Sequence, residues 1–194
     1  MLKEKLKAHK LILASGSPRR QQFFREMELD FEIRLKSVEE VYPKELQEKA
    51  ISDYLAQLKA SAFEGTLAKN EILITSDTVV WHNNQSLAKA KNAEEAFKML
   101  KTLSEDWHEV ITSVCFTTTT NQKTVNQTTK VKFKKLTDAE IHYYIKNYSP
   151  FDKAGAYGIQ EWIGLIGIEK IKGSYPNVVG LPTQLVYDTL VDMT

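Results

Sequence analysis

A short apolar run, Leu11-Ile12-Leu13-Ala14, stops abruptly at Ser15-Gly16-Ser17-Pro18-Arg19-Arg20. Four apolar residues closed by a Ser/Gly/Pro turn read as a buried strand. Ser17 before Pro18 reads as an N-cap with proline at the first helical position. The predicted order is therefore strand, turn and helix, with the helix running to about Met27. The first turn of a helix carries unpaired N–H groups and the positive end of the helix dipole, which together suit a phosphate. Two arginines there are unfavourable for an isolated helix, and a bound anion would relieve that cost. Their planar forks also match phosphate oxygens in pairs. The same residue types equally fit a plain capped helix with solvated arginines, so this segment alone does not decide.

Downstream, Phe31–Leu35 alternates as a second strand. The stretch from Pro43 to about Phe63 predicts a long helix, with Ile51, Leu55, Leu58 and Ala62 at helical spacing. Glu71–Trp81 reads as a strand interrupted by Asp77. Asn92 with Glu95 predicts a capped helix whose apolar face is Ala96, Met99, Leu100 and Leu103. Val110–Thr120 and Val125–Phe133 predict a hairpin, with the polar Asn121–Thr124 between its strands. Thr137 with Glu140 starts a helix striped by Ile141, Tyr144, Ile145 and Tyr148 and stopped by Ser149-Pro150. Gly-rich loops and short strands follow, and Thr183 opens a C-terminal helix. Helices alternating with strands early and a hairpin late predict an α/β fold around a mixed sheet. A chain of 194 residues suits one domain or two tightly joined lobes.

Lys and Arg number 26 against 25 Asp and Glu, and a net charge of +1 gives no overall pull toward nucleic acid or membrane. The single cysteine, Cys115, forms no intrachain disulfide or zinc cluster and lies in an apolar run as a small core residue. The N-terminal Met-Leu-Lys-Glu-Lys-Leu-Lys-Ala-His-Lys is too charged for a signal peptide, and no window is apolar enough to span a membrane. These features predict a cytoplasmic protein. His9, His82, His108 and His142 lack metal-ligand spacing, and neither a P-loop nor a Rossmann glycine fingerprint is present.

Asp77, inside Ile74-Thr75-Ser76-Asp77-Thr78-Val79-Val80, is costly in an apolar strand unless it is paired, bound to metal or turned toward a cleft. Metal binding and general-base work both give it a purpose, and so does a local turn. In Lys153-Ala154-Gly155-Ala156-Tyr157-Gly158-Ile159-Gln160 the two glycines permit close approach of backbone to a ligand, and Gln160 offers a donor and an acceptor to a base edge. Gly173–Pro182 reads only as loop, turn and strand. Glu39-Glu40, Lys59 and Lys89 are further candidates, each more often solvated than functional.

In order, Leu13–Arg20, Leu55–Ala60, Ser76–Val80, Lys89, His108–Thr112, Lys153–Gln160, Gly173–Tyr175 and Asn177–Pro182 resemble the motifs of the Maf-like nucleotide pyrophosphatase family, from about Leu11 to Leu190. The resemblance implies an elongated mixed sheet flanked by helices, with two lobes around a nucleotide cleft, as in inosine-triphosphate pyrophosphatases. It implies hydrolysis between the α and β phosphates of dTTP and UTP, a house-cleaning role, a Mg²⁺ or Mn²⁺ ion and a homodimer. Asp77 then matches the proton acceptor, and Arg19, Thr78 and Gln160 match the positions that set base preference. Ser15, Arg20, Lys59 and Lys89 match the phosphate site, and Glu40 with Asp77 the metal site. A nucleotide-binding regulator of cell division, and the same reaction on modified pyrimidines or 7-methyl-GTP, are the competing expectations. The chain departs from the family pattern at Ala90 and at Glu105 and Glu161, where glycine is usual.

Overall fold

A computed structural model describes all of residues 1–194. Its elements run α1 (Leu2–Lys5), β1 (Lys10–Leu13), α2 (Pro18–Glu26), β2 (Phe31–Ile33), α3 (Lys49–Ser61), β3 (Glu71–His82) and β4 (Gln85–Ser86). They continue with α4 (Ala93–Leu103), β5 (Trp107–Thr117), β6 (Gln122–Phe133), α5 (Asp138–Tyr148), α6 (Trp162–Gly167), β7 (Ile168–Lys172), α7 (Tyr175–Val179) and α8 (Thr183–Met193). The seven strands form one mixed sheet in the order β2-β1-β3-β5-β6-β7, with β4 pairing off β3. β1 is parallel to both neighbours, Leu13 standing opposite Ile33 of β2 and Ile74 of β3. β7 closes the far edge antiparallel to β6. The expected α/β class with a mixed sheet flanked by helices is what the chain adopts.

The chain divides into two compact units. The first comprises Met1–Asp77, Thr112–Gln127 and Gly180–Thr194, and the second Thr78–Ile111 with Thr128–Val179. In the first, side chains alternate across the sheet. Leu11, Leu13, Ile72, Ile74, Val114 and Phe116 pack with Phe24 of α2 and with Leu181, Val186 and Leu190. On the opposite face Ile12, Leu73 and Cys115 meet Ala56, Ala60 and Phe63 of α3 and its end. Burial on both faces explains why β1 and the start of β3 read as continuous apolar runs. The second unit is built on Ala96, Leu100 and Leu103 of α4, Ile141, Tyr144 and Ile145 of α5, and Val131 and Phe133 of β6.

Several expectations are corrected. The helix predicted from Pro43 begins only at Lys49. No residue from Val41 to Ala50 is fully buried, so that segment has no apolar face to dock, and Glu48 breaks the chain at φ 49°. Ser17 stands at the N-cap of α2, but its side chain makes no capping bond. The second strand stops at Ile33, beyond which β1 has already ended. β3 is not interrupted at Asp77. The hairpin turns at residues 118–121, closed by Thr118 N–H to Asn121 O at 2.8 Å. The Thr118 hydroxyl takes the Asn121 and Thr120 N–H groups at 3.0 and 3.3 Å, a side-chain-stabilised turn. Tyr148 is exposed, stacked on Tyr144 instead of buried with it. Part of the segment predicted as loops forms α6 and α7. Glu105 adopts φ 67°, a left-handed conformation that glycine takes without strain, which accounts for the glycine usual there.

Candidate active site

Parallel pairing of β1 with β3 sets the geometry of the first unit. Ala14 N–H still bonds to Ile74 O at 2.9 Å. The chain then turns through Ser15–Ser17 into α2, while β3 continues to Asp77. The end of β1 thus leads into the arginine-bearing helix start, and Asp77 lies within β3, three residues beyond the Ile74 that stands opposite Leu13. Ser15 is buried, its hydroxyl accepts Ser17 N–H at 3.3 Å, and Gln21 Nε2 holds its carbonyl at 3.1 Å.

Arg20 is anchored by its own chain. Its Nε donates to Gly180 O at 2.8 Å and its Nη1 to Ser76 O at 2.9 Å. Burial pulls its guanidinium below the ordinary value; Asp77 opposes this, Arg19 adds to it and Glu40 opposes it. Arg19, Asp77 and Glu40 therefore all act on the same local field.

Asp77 is 8% exposed, and its Oδ1 accepts Lys59 Nζ at 2.6 Å. Glu40 Oε1 lies 3.0 Å from the same ammonium. Burial raises the Asp77 carboxyl above the usual aspartate range, and the Lys59 and Arg20 charges hold it back. Lys59 lies on α3 beside the buried Ile51, Leu55, Ala56 and Ala60, and its head reaches Asp77. Thr75, on the same face of β3 as Asp77, donates to Ala56 O at 2.7 Å and fixes α3 against the strand two residues away. Glu39, next to Glu40 in sequence, makes no such contact with Lys59; its carbonyl accepts Val41 N–H at 2.8 Å.

No group of three or more His, Cys, Asp or Glu side chains is arranged to hold a metal ion. Asp77 and Glu40 nonetheless converge on one cation, and two carboxylates are the protein share typical of a Mg²⁺ site that phosphate oxygens and water complete. The donor set fits such an ion.

The remaining candidates belong to the second unit. Thr78 follows Asp77 in β3 and is half-buried. Lys89 is exposed, and its backbone forms a bridge with Ala154. Gln160 is exposed after the buried Gly155–Ile159. The two glycines here are closely packed. Gly155 has φ +67°, and a Cβ on it would stand 3.0 Å from Val80 Cγ1. Gly158 is covered by Glu161 and Lys153. Sequence reasoning passed over Gln21, Thr75 and the carbonyls of Ser76 and Gly180, because backbone acceptors and helix-to-strand pins leave no motif.

The sequence profile of Maf-like proteins matches residues 10–193. This chain belongs to the Maf-like protein family. A dTTP/UTP pyrophosphatase of Flavobacterium johnsoniae is 62% identical to this Maf-like chain over 193 residues, covering 100% of both. One from Flavobacterium psychrophilum is 60% identical, again over 100% of both chains, and one from Christiangramia forsetii is 55% identical over 100% of this chain and 98% of its own. Among solved structures, the Staphylococcus aureus Ham1 protein superposes with a TM-score of 0.55 at 16% identity, covering 95% of this chain and 100% of that one. That likeness concerns the fold. No helix of the chain is long and apolar enough to cross a membrane.

Proposed function

We propose that this chain hydrolyses dTTP and UTP between the α and β phosphates, releasing the nucleoside monophosphate and pyrophosphate. The observation that carries the reading is the 2.6 Å contact between Lys59 and a buried Asp77 whose carboxyl is raised by burial. A base poised above its usual range, beside cations that can neutralise phosphate, is what water attack on a triphosphate needs. Substrate choice is supported by relatives up to 62% identical that are named dTTP/UTP pyrophosphatases.

In this reading Arg20, Lys59 and Lys89, with the Ser15 turn and the start of α2, bind the triphosphate. Lys59 passes from Asp77 to a phosphate oxygen as the substrate enters, which frees the carboxylate. Asp77 takes the proton of the attacking water, the new bond forms to the α-phosphorus, and the bond to the bridging oxygen breaks. Pyrophosphate leaves with its charge met by the basic groups. Glu40 and Asp77 would hold a Mg²⁺ or Mn²⁺ ion, which would supply charge neutralisation at the phosphates. Arg19, Thr78 and Gln160 select the base. The reading includes a cytoplasmic location and a homodimer.

The test is pyrophosphate release from a panel of dTTP, UTP, CTP, ATP, 5-methyl-UTP, pseudo-UTP and 7-methyl-GTP with added divalent metal. Release from dTTP and UTP ahead of CTP and ATP is expected. No release from any of them sinks the reading, and preference for a modified base moves the substrate assignment.

A further inference from the structure

Gly155 to Ile159 are all buried and Gln160 is exposed, so the amide projects from the end of a segment sunk in the second unit. More than apolar packing holds that segment. Tyr144 of α5 donates its hydroxyl hydrogen to Glu161 Oε2 and accepts Gly158 N–H at 3.0 Å. Lys153 Nζ lies 3.1 Å from Glu161 Oε1 and 2.7 Å from Asp152 Oδ1. Both oxygens of Glu161 are thus engaged by donors of the protein. The Glu161 backbone closes the turn on itself, its N–H bonding to Gly158 O at 3.0 Å. Its carbonyl accepts Gly164 N–H at 2.9 Å and Leu165 N–H at 3.1 Å, which starts α6.

The fit leaves no slack. A Cβ on Gly158 would stand 2.8 Å from Glu161 Cδ and 3.1 Å from Lys153 Cε. A Cβ on Gly164 would stand 1.8 Å from Ile159 O, so α6 rests on the carbonyl just before Gln160. Gln160 is flanked on one side by a carbonyl under α6 and on the other by a residue whose side chain is tied at both oxygens. Charge-assisted bonds of this kind are among the stronger and more directional in a protein.

We propose that the Lys153–Glu161–Tyr144 network is a positioning device for Gln160, setting base selection by fixing the turn from which its amide projects. This rests on the base-reading role given to Gln160 above. The uracil and thymine edge offers an N–H between two carbonyls, and an amide meets it with donor and acceptor in one orientation. Cytosine offers the reversed pattern over part of the same edge. A turn free to rock lets the amide serve either, so loosening the network costs discrimination before it costs chemistry. Glu161, where glycine is usual in the family pattern, gives this chain a charged pin at that position.

The experiment measures kcat and KM for UTP, dTTP and CTP in Tyr144→Phe, Glu161→Gln and Lys153→Met, each alone and combined with Gln160→Ala. Tyr144→Phe removes one hydroxyl, and Glu161→Gln keeps the shape while removing the charge. The expected result is a KM for UTP and dTTP about tenfold higher with kcat within about threefold, and a UTP-over-CTP preference reduced by a similar factor. In the Gln160→Ala background the same substitutions add nothing, because the network acts through Gln160. If Tyr144→Phe does not fold, Glu161→Gln carries the test. An active parent whose base preference survives these substitutions, or whose losses add in full to those of Gln160→Ala, overturns this inference alone. A parent that releases no pyrophosphate from either nucleotide overturns the reading of Gln160 and this inference with it.

Discussion

Lys59 donates to Asp77 at 2.6 Å while Glu40 reaches the same ammonium at 3.0 Å, so one lysine head holds two carboxylates together. A buried acid whose chief counter-charge is one lysine head, with Arg20 adding to it, keeps its charge compensated without ligand, and an anion competing for that lysine would release it.

Asp77→Asn keeps the shape of the side chain and removes its basicity. Turnover is expected to fall about 10²–10⁴-fold, the usual weight of general-base catalysis, with nucleotide affinity changed only a few-fold. Pyrophosphate release and calorimetric binding measure the two. Turnover equal to the parent's would remove Asp77 from the chemistry.

Lys59→Met tests the electrostatics. Burial raises the Asp77 carboxyl, and Lys59 is the chief opposing influence. Without it the carboxyl rises further, so the acid limb of kcat/KM moves to higher pH while the rate on the plateau drops. The parent's limb should itself lie above the ordinary aspartate value of 3.8. A limb that stays in place in the variant contradicts this account.

Chelation should abolish pyrophosphate release, and Mg²⁺ or Mn²⁺ should restore it. Glu40→Gln should raise the metal concentration needed for half-maximal rate, because one of two carboxylates is lost. Titration of rate against metal is the measurement, and full activity in excess chelator would exclude the ion from the reaction.

Acid stability should decline in two windows. Arg34 clasps Glu71 through both guanidinium ends, at 2.8 and 3.1 Å, and with the Ala68 N–H holds its carboxyl at about 2 against an ordinary 4.5. The folded state refuses a proton that the unfolded chain accepts, so this stabilisation is present above about 4.5 and lost as pH falls toward 2. Burial likewise holds the His108 ring at about 3 against 6.5. The unfolded chain binds that proton first, so stability also falls as pH drops from 6.5 toward 3. Glu71→Gln should cost about 1.5–3 kcal/mol at neutral pH and flatten the lower window. Denaturant unfolding from pH 7 to 3 reads both slopes. Curves for variant and parent that remain parallel throughout would refute the assignment.

Local signals carried most of the fold. Thr137 and Glu140 form the reciprocal capping box that their spacing implied, and Asn92 accepts Glu95 N–H as a cap should. Caps, proline positions and apolar periods involve neighbours within one or two turns, so they can be read along the chain. Pro43–Glu48 fails as helix because helical spacing needs a surface to bury against, and whether one exists is settled elsewhere in the molecule.

The site divides the same way. The energetic cost of an aspartate amid Ile74, Val79 and Val80 is plain from its neighbours in the chain, so the sequence by itself singles out Asp77. Its contact with Lys59 is not legible there, because that lysine lies 18 residues earlier on a helix whose rotation depends on how Ala56 and Ala60 seat against the sheet. Tyr144 was read only as part of an apolar stripe; its ring is there, and its hydroxyl makes the bonds that matter to Gly158 and Glu161. Sequence alone determined which groups are costly to bury and where helices and strands start. Tertiary structure alone decided which charge answers which, because a hydrogen bond depends on tenths of an ångström between segments that the chain order leaves far apart.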